Sequence, residues 1–172
     1  MSEPFNIPKA PIFPIALRYG VIVAGIGILF TIILFLLEMD TSSLAQVLGY
    51  LVLIGGMLAG ILEYRDQANQ GFINHGQVIS VGVLIAVIAA FILGLFSIIY
   101  MQYINPEMME QVILIQEEKF IEQGMSDDQI EKAISMMRKF SHPMFSIPFT
   151  VLWYAFVGLA VSAIAGFFVK KD

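Results

Sequence analysis

The fold is decided by residues 67–106, which read QANQGFINHGQVISVGVLIAVIAAFILGLFSIIYMQYINP. No Asp, Glu, Lys or Arg interrupts this run. A helix that crosses the hydrocarbon core of a bilayer needs about 20 apolar residues. The centre of the run is continuously apolar rather than alternating, which indicates a helix and not a barrel strand. We therefore predict a membrane-spanning helix within these residues.

Three further stretches have no charged residue, at 19–37, 41–62 and 140–169. The chain of 172 residues is 58% apolar and 13% charged, whereas a soluble domain is roughly 45–50% apolar and about 25% charged. A soluble fold of this length has too little interior to bury that excess. The sequence predicts an all-α, polytopic membrane protein forming one domain over residues 1–172. Its four transmembrane helices are expected at about 15–37, 44–64, 78–101 and 147–169.

The composition also excludes several classes of function. The chain has no cysteine, so it offers no disulfide and no thiolate for zinc or for catalysis. Its net charge is −5 and no basic stretch could follow a phosphate backbone, so we expect no nucleic-acid partner. Ser97 and Ser162 have no nearby histidine within a span to activate them, and no phosphate-binding glycine loop is recognisable. We expect a protein that is not an enzyme and uses no cofactor.

The connection between the third and fourth spans, about 105–142, is predicted to be an amphipathic helical hairpin. Asn105-Pro106 has the pattern of a cap followed by proline at the first helical position, and Gly124 is typical of the residue beyond a helix end. Ser126 and Gln129 form a capping-box pattern for the second helix. The apolar residues of that helix fall on one stripe, namely Ile130, Ala133, Ile134, Met137 and Phe140.

The positions of Lys and Arg predict the orientation, because positive residues in short segments accumulate on the cytoplasmic side. Lys9, Arg18, Arg65, Lys170 and Lys171 all lie on the side that holds both termini. We therefore expect both termini in the cytoplasm and the hairpin on the exoplasmic side.

The third span carries a small residue at every fourth position, at Gly82, Ala86, Ala90 and Gly94. Lipid tails are as apolar as leucine, so transmembrane helices associate through close packing at small residues. The pattern predicts a helix-packing seam, although glycine and alanine are also simply common in membrane helices. Whether the seam contacts another span or a second copy of the chain stays open at this point.

Aromatic side chains with a polar group lie near both ends of the spans, which is typical of an interfacial belt. They are Tyr100, Tyr103, Trp153 and Tyr154 near the hairpin, with Tyr19 and Tyr64 at the other end.

A polar cluster is expected where the second span ends and the third begins, formed by Glu63, Arg65, Asp66, Asn74, His75 and Gln77. Glu63, Asp66 and His75 could together bind a divalent cation. Arg65 could instead bind a lipid phosphate. The interpretation we favour is an ion pair of Arg65 with Glu63 or Asp66, beside a solvated His75.

Seven of the ten methionines lie between residues 101 and 144. Thioethers on the exoplasmic side can bind Cu(I), with His142 as the one histidine there, but methionine more often provides adaptable packing. We expect packing and no metal. The seven are Met101, Met108, Met109, Met125, Met136, Met137 and Met144.

Several local patterns follow one another along the chain: Glu63-Tyr64-Arg65-Asp66, Gly76-Gln77, Val81-Gly82, Tyr103-Ile104-Asn105-Pro106, residues 124–131 (GMSDDQIE) and residues 167–171 (FFVKK). In this order they resemble the bacterial membrane family catalogued as "domain of unknown function 4199". The resemblance covers nearly the whole chain. It implies a four-span protein of the bacterial cytoplasmic membrane and brings no activity, substrate or catalytic residue.

No ionisable residue is expected at mid-depth in a span, where a carrier normally needs one. The leading hypothesis is therefore a non-enzymatic accessory or structural subunit that binds a partner through the hairpin. The partners expected are membrane lipid and another membrane protein or a second copy of the chain. The alternative is an oligomeric permeation protein for a small molecule, a lipid or an ion.

Overall fold

The computed structural model describes residues 10–39 and 43–169. Of these residues 87% are helical, and none forms a strand. Two π-helical turns, Tyr64–Ala68 and Tyr100–Ile104, continue the second and third α-helices. The α-helices of the described residues are α1 (Ile12–Leu36), α2 (Ser43–Glu63), α3 (His75–Ile99), α4 (Met108–Glu122), α5 (Asp127–Phe140) and α6 (Pro143–Val169).

Four of these helices, α1, α2, α3 and α6, are long and apolar enough to cross a membrane, as the sequence predicted. Their ends differ from the predicted ones. Helix α3 begins at His75 rather than at 78 because Asn74 caps it: the Gln77 N–H donates to Asn74 Oδ1 at 3.0 Å, and the Asn74 N–H donates to Gln77 Oε1 at 3.0 Å. Helix α6 begins at Pro143 rather than at 147, a position that suits proline because the first N–H of a helix is unpaired anyway.

Helix α3 forms the centre of the membrane-spanning bundle. It packs most extensively against α6 and α1 and also contacts α2.

The four long helices alternate in direction along the chain. The bundle therefore has one end where α1 and α3 begin, which we call the terminal end, and an opposite end near α4 and α5, which we call the α4–α5 end. Lys9, Lys170 and Lys171, used above to predict orientation, lie outside the described residues.

Small residues allow the close approach of α3 and α6. A Cβ added at Gly82 would overlap Ser162 Oγ, and one added at Gly158 would lie 2.8 Å from the Ala86 Cβ. Ala86 and Ala90 are fully buried. The predicted seam residues thus lie on the buried side of α3, and Gly82 and Ala86 meet α6 of the same chain.

Two of the tyrosines expected in an interfacial belt lie inside the bundle instead. Tyr64 is fully buried and Tyr100 is buried, with its ring 6.0 Å from the rings of both Phe35 and Phe96. Tyr103 and Trp153, by contrast, are exposed. The belt prediction is therefore wrong for Tyr64 and Tyr100, because each begins a π-helical turn that directs its ring inward.

The part of the chain that connects α3 to α6 contains α4 and α5. These two helices contact each other, and α5 also contacts α6. The predicted cap at Asn105 is wrong: the π-helical turn ends there, and α4 begins at Met108 after Glu107. The predicted helix end at Gly124 is confirmed by its φ of 74° and by a Schellman pair of hydrogen bonds. The predicted capping box of Ser126 and Gln129 is also confirmed.

One ion pair joins α4 to α5. The Arg138 guanidinium donates to both carboxylate oxygens of Glu110, at 2.9 and 3.1 Å. These hydrogen bonds, with the carboxylate charge, raise the pKa of Arg138 above its ordinary value. Because the pKa of Arg138 is raised from a value that is already alkaline, its guanidinium stays charged at every physiological pH, and salt screens its attraction to Glu110.

Candidate functional site

The polar side chains at the terminal end divide into four groups, rather than forming the single cluster expected. Glu63, the last residue of α2, pairs with α1. One of its carboxylate oxygens accepts a hydrogen bond from the Tyr19 hydroxyl at 2.7 Å, and the other forms an ion pair with the Arg18 guanidinium. Both oxygens of Glu63 are therefore engaged, and neither contact was foreseen from the sequence.

The π-helical turn after α2 directs Tyr64 into the bundle. The turn is closed by the Asn69 N–H, which donates to the Tyr64 carbonyl at 2.9 Å, five residues back. The Tyr64 hydroxyl donates to the Ala10 carbonyl at 2.9 Å and accepts from Gln77 Nε2 at 3.3 Å. One phenol thus connects the start of α1, the end of α2 and the first turn of α3.

Arg65 and Asp66 form the third group. Arg65 donates to the two carboxylate oxygens of Asp66 at 2.6 and 3.0 Å, so the favoured ion pair is present with Asp66 and not with Glu63. Arg65 Nη1 also approaches the Val169 carbonyl at the end of α6, at 3.4 Å. A cation placed there complements the unpaired carbonyls and the negative end of the helix dipole.

His75, the fourth group, stands apart from these carboxylates and is half-buried. Its ring packs edge-on against Phe167 of α6, with 5.0 Å between ring centroids, and a Cβ added at Gly166 would overlap the imidazole. Its Nδ1 is buried and has no hydrogen-bond partner among the described residues. The absence of a side chain at Gly166 makes room for the ring.

The structure bears on both alternatives considered for this end of the bundle, a cation site and a lipid-phosphate site. Nowhere in residues 10–39 and 43–169 do three His, Asp or Glu side chains come together, so Glu63, Asp66 and His75 do not form the cation site considered above. Arg65 already donates to the Asp66 carboxylate and to the Val169 carbonyl, so fewer of its N–H groups remain for a phosphate. Apart from His75, whose Nδ1 has no partner among the described residues, the polar side chains discussed here form hydrogen bonds and ion pairs, several of which join helices.

Sequence reasoning missed three features of this site. The pairing of Arg18 and Tyr19 with Glu63 left no local signal, because the partners are more than forty residues apart. The Asn74-x-x-Gln77 cap was visible as a capping-box pattern. The two π-helical turns also share a pattern, since tyrosine begins each one and asparagine follows five residues later, in YRDQAN (64–69) and YMQYIN (100–105). Such turns occur frequently at functional sites.

A comparison with known families gives a match over nearly the whole chain. The family described as "Protein of unknown function (DUF4199)" matches residues 18–171, which is the family that the order of local patterns suggested. No curated protein and no solved structure matches the chain.

Proposed function

Because the chain belongs to the family described as "Protein of unknown function (DUF4199)", which assigns no activity, we propose a function from the molecule itself. The protein is a non-enzymatic accessory subunit of a membrane complex. It resides in the bacterial cytoplasmic membrane with both termini in the cytoplasm. Helices α4 and α5 form an exoplasmic hairpin that binds a partner membrane protein.

The observation that carries this proposal is the uncovered apolar surface of α4. Leu114 and Ile121 are 63% and 61% exposed, and seven residues separate them, so they lie on one face of the helix. Within the described residues, the principal contact of α4 is α5. Met136 and Phe140 of α5 are also more than half exposed. Apolar residues grouped in this way mark an interaction surface.

The charge of this segment favours a protein partner over the bilayer surface. Residues 105–142 contain eight acidic and four basic residues. Anionic lipids would repel a segment with this balance, because membrane surfaces attract basic segments. A protein partner that combines an apolar patch with basic residues satisfies both features of the hairpin.

The state of the polar groups supports a role without catalysis. Glu63 is engaged by Arg18 and Tyr19 of α1, and the Tyr64 hydroxyl is engaged by Gln77 and by the Ala10 carbonyl just before α1. A catalytic acid or base has to reach a substrate, whereas the hydrogen bonds of these groups join helices.

The test is to isolate the tagged full chain from its native membrane in mild detergent. Mass spectrometry would identify its companions, and light scattering would measure the size of the complex. We expect a second protein in fixed stoichiometry with the wild type. It should be lost from the double variant Leu114→Asp, Ile121→Asp and retained by Lys119→Asp, which changes charge on another face of the same helix.

Two outcomes would contradict the subunit role. One is an identical companion in all three preparations, since the partner would then bind elsewhere. The other is a complex that contains this chain alone. That result would favour the alternative of an oligomeric permeation protein, to be tested by flux through reconstituted vesicles with substitutions at Glu63, Asp66 and His75.

A further inference from the structure

A groove of about 540 Å³ runs between α4 and α5, and we call it the α4–α5 groove. It is lined on α4 by Glu117 and Ile121, and on α5 by side chains from Asp127 to Arg138. At about 1.5 Å per helical residue, the lining on α5 is about 16 Å long, which is about three helical turns. Ile121 also belongs to the exposed apolar surface of α4 described above, so the groove continues that surface.

Apolar and acidic side chains line the α4–α5 groove together. Three are isoleucines, Ile121, Ile130 and Ile134, and three are acidic, Glu117, Asp127 and Glu131. Among the described residues, none of these three carboxylates forms an ion pair. The cation in the described lining is Arg138, whose guanidinium is already held by Glu110. The groove therefore combines an apolar surface with negative charge that this chain does not neutralise.

The ion pair of Arg138 with Glu110 sets the level of α5 against α4. The two helices are joined by residues 123–126, and helices joined by so short a connection run antiparallel. Glu117 follows Glu110 by seven residues, and Glu131 precedes Arg138 by seven, so both lie about 10.5 Å from the ion pair along the helices. Two carboxylates thus line the groove at the same level and repel each other. A cation between them would relieve this repulsion.

A lysine or arginine side chain suits this groove better than a metal ion. Nowhere within residues 10–39 and 43–169 do three His, Asp or Glu side chains come together, so the carboxylates do not converge on one ion. Carboxylates spaced along a groove instead complement basic residues spaced along a partner chain. The isoleucines between them require apolar residues on the same segment.

A second copy of this chain does not provide such a segment. Residues 105–142 contain eight acidic and four basic residues, so two hairpins repel each other. Among the described residues, the basic ones outside the hairpin are Arg18 and Arg65, and both lie at the terminal end of the bundle, away from the groove. The occupant that the charges favour is therefore a segment of another protein.

We propose that the α4–α5 groove binds one basic amphipathic helix of the partner membrane protein. Apolar residues of that helix, spaced i, i+4 and i+7, contact the three isoleucines, and lysine or arginine side chains beside them pair with the three carboxylates. A helix suits the groove better than a strand, because α4 and α5 offer no strand edge to pair with. This inference rests on the proposed partner-binding role and specifies the segment that the partner uses.

Charge reversal with a matched control tests the acidic residues. The double variant Glu117→Lys, Glu131→Lys changes two residues of the groove. The double variant Glu118→Lys, Glu122→Lys changes the net charge equally, at exposed positions that do not line the groove. Recovery of the companion protein in mild detergent should fall at least about tenfold for the first variant and stay within about twofold for the second, because only the first opposes the partner's cations. Equal recovery from the two variants would overturn the inference.

Photo-crosslinking from a chain with its acidic residues intact decides the question even if the first variant does not fold. The photoreactive residue p-benzoylphenylalanine would replace Ser135, which is exposed and lines the groove, or Lys132, which is exposed on α5 outside it. After illumination of native membranes, mass spectrometry would identify the attached segment. We expect position 135 to attach to a segment with apolar residues at helical spacing, flanked by lysine and arginine, and position 132 not to attach to it.

The remaining outcomes distinguish this inference from the subunit role. Attachment of position 135 to an acidic or uncharged segment, or to a second copy of this chain, would overturn the inference. So would a companion protein that is isolated with the chain but never attaches at position 135, although the subunit role would then stand. Isolation of the chain without any companion would contradict the subunit role itself, and the inference would fall with it.

Discussion

Tyr64 illustrates how one buried polar side chain organises several helices. Its hydroxyl donates to the Ala10 carbonyl and accepts from the Gln77 amide, while its ring is fully enclosed. The Gln77 side chain also caps α3 through its Oε1. The Gln77 side chain therefore caps the start of α3 with its oxygen and binds Tyr64 at the end of α2 with its nitrogen. Any substitution of Gln77 removes both hydrogen bonds.

Removing the Tyr64 hydroxyl should destabilise the bundle. In Tyr64→Phe the buried Gln77 amide loses an acceptor, and an unsatisfied buried group costs about 1–3 kcal/mol. The control is Tyr103→Phe, because Tyr103 is 78% exposed and its hydroxyl is available to the interface. Unfolding in mixed detergent micelles would give both free energies. Equal losses for the two variants would show that the Tyr64 hydrogen bonds contribute nothing.

At the scale of helices, α3 and α6 approach each other closely at Gly82 and Ser162, where a Cβ added at Gly82 would overlap Ser162 Oγ. Ser162 is fully buried, and its hydroxyl has no hydrogen-bond partner within the described part of the chain. The two residues are therefore matched in volume rather than joined by a polar contact. Close packing of this kind is the main source of association between helices in lipid.

Gly82→Ala should destabilise the protein because its new methyl group overlaps Ser162 Oγ. Overpacking in a well-packed core costs about 1–3 kcal/mol. Adding Ser162→Gly should recover most of that loss, since the overlapping atom is removed. Gly55→Ala, whose Cβ meets no atom within 4 Å, is the control. A double-mutant cycle of unfolding free energies would measure the coupling, and additive effects would mean that the two sites do not contact each other.

The two π-helical turns are the other feature at this scale. Each continues a long helix for five residues, begins with a buried tyrosine and is followed by a buried asparagine, Asn69 or Asn105. The first turn places Tyr64 in the network at the terminal end, and the second places Tyr100 beside the rings of Phe35 and Phe96. At each end of the bundle, a π-helical turn thus directs one tyrosine ring inward.

For the whole molecule, the proposed orientation depends on basic residues at the terminal end and predicts which loops are accessible from outside. The chain has no cysteine, so a single introduced thiol reports one position. In intact spheroplasts, a membrane-impermeant maleimide should modify Ser135→Cys, since Ser135 is exposed on α5. It should modify Ser2→Cys only after permeabilisation. The opposite pattern would place α4 and α5 in the cytoplasm and remove the proposed exoplasmic partner.

Part of the candidate site could be predicted from the sequence. The pairing of Arg65 with Asp66 is local and was among the pairs considered. The Glu63 contacts were not, because Arg18 and Tyr19 reach it only after α1 and α2 have packed. The packing of His75 could not be predicted for the same reason, since its neighbours Gly166 and Phe167 come from the far end of the chain.

The sequence by itself determined the number of spanning helices and several of their ends. A charge is costly in hydrocarbon, so the charge-free runs mark the spans, and a cap such as Ser126 with Gln129 depends only on neighbouring residues. The tertiary structure alone decided which faces meet: Gly82 lies against α6, and Tyr64 and Tyr100 point inward. Spanning helices are apolar on nearly every face, so local periodicity does not specify their rotation, and only the mutual fit of small and large side chains does.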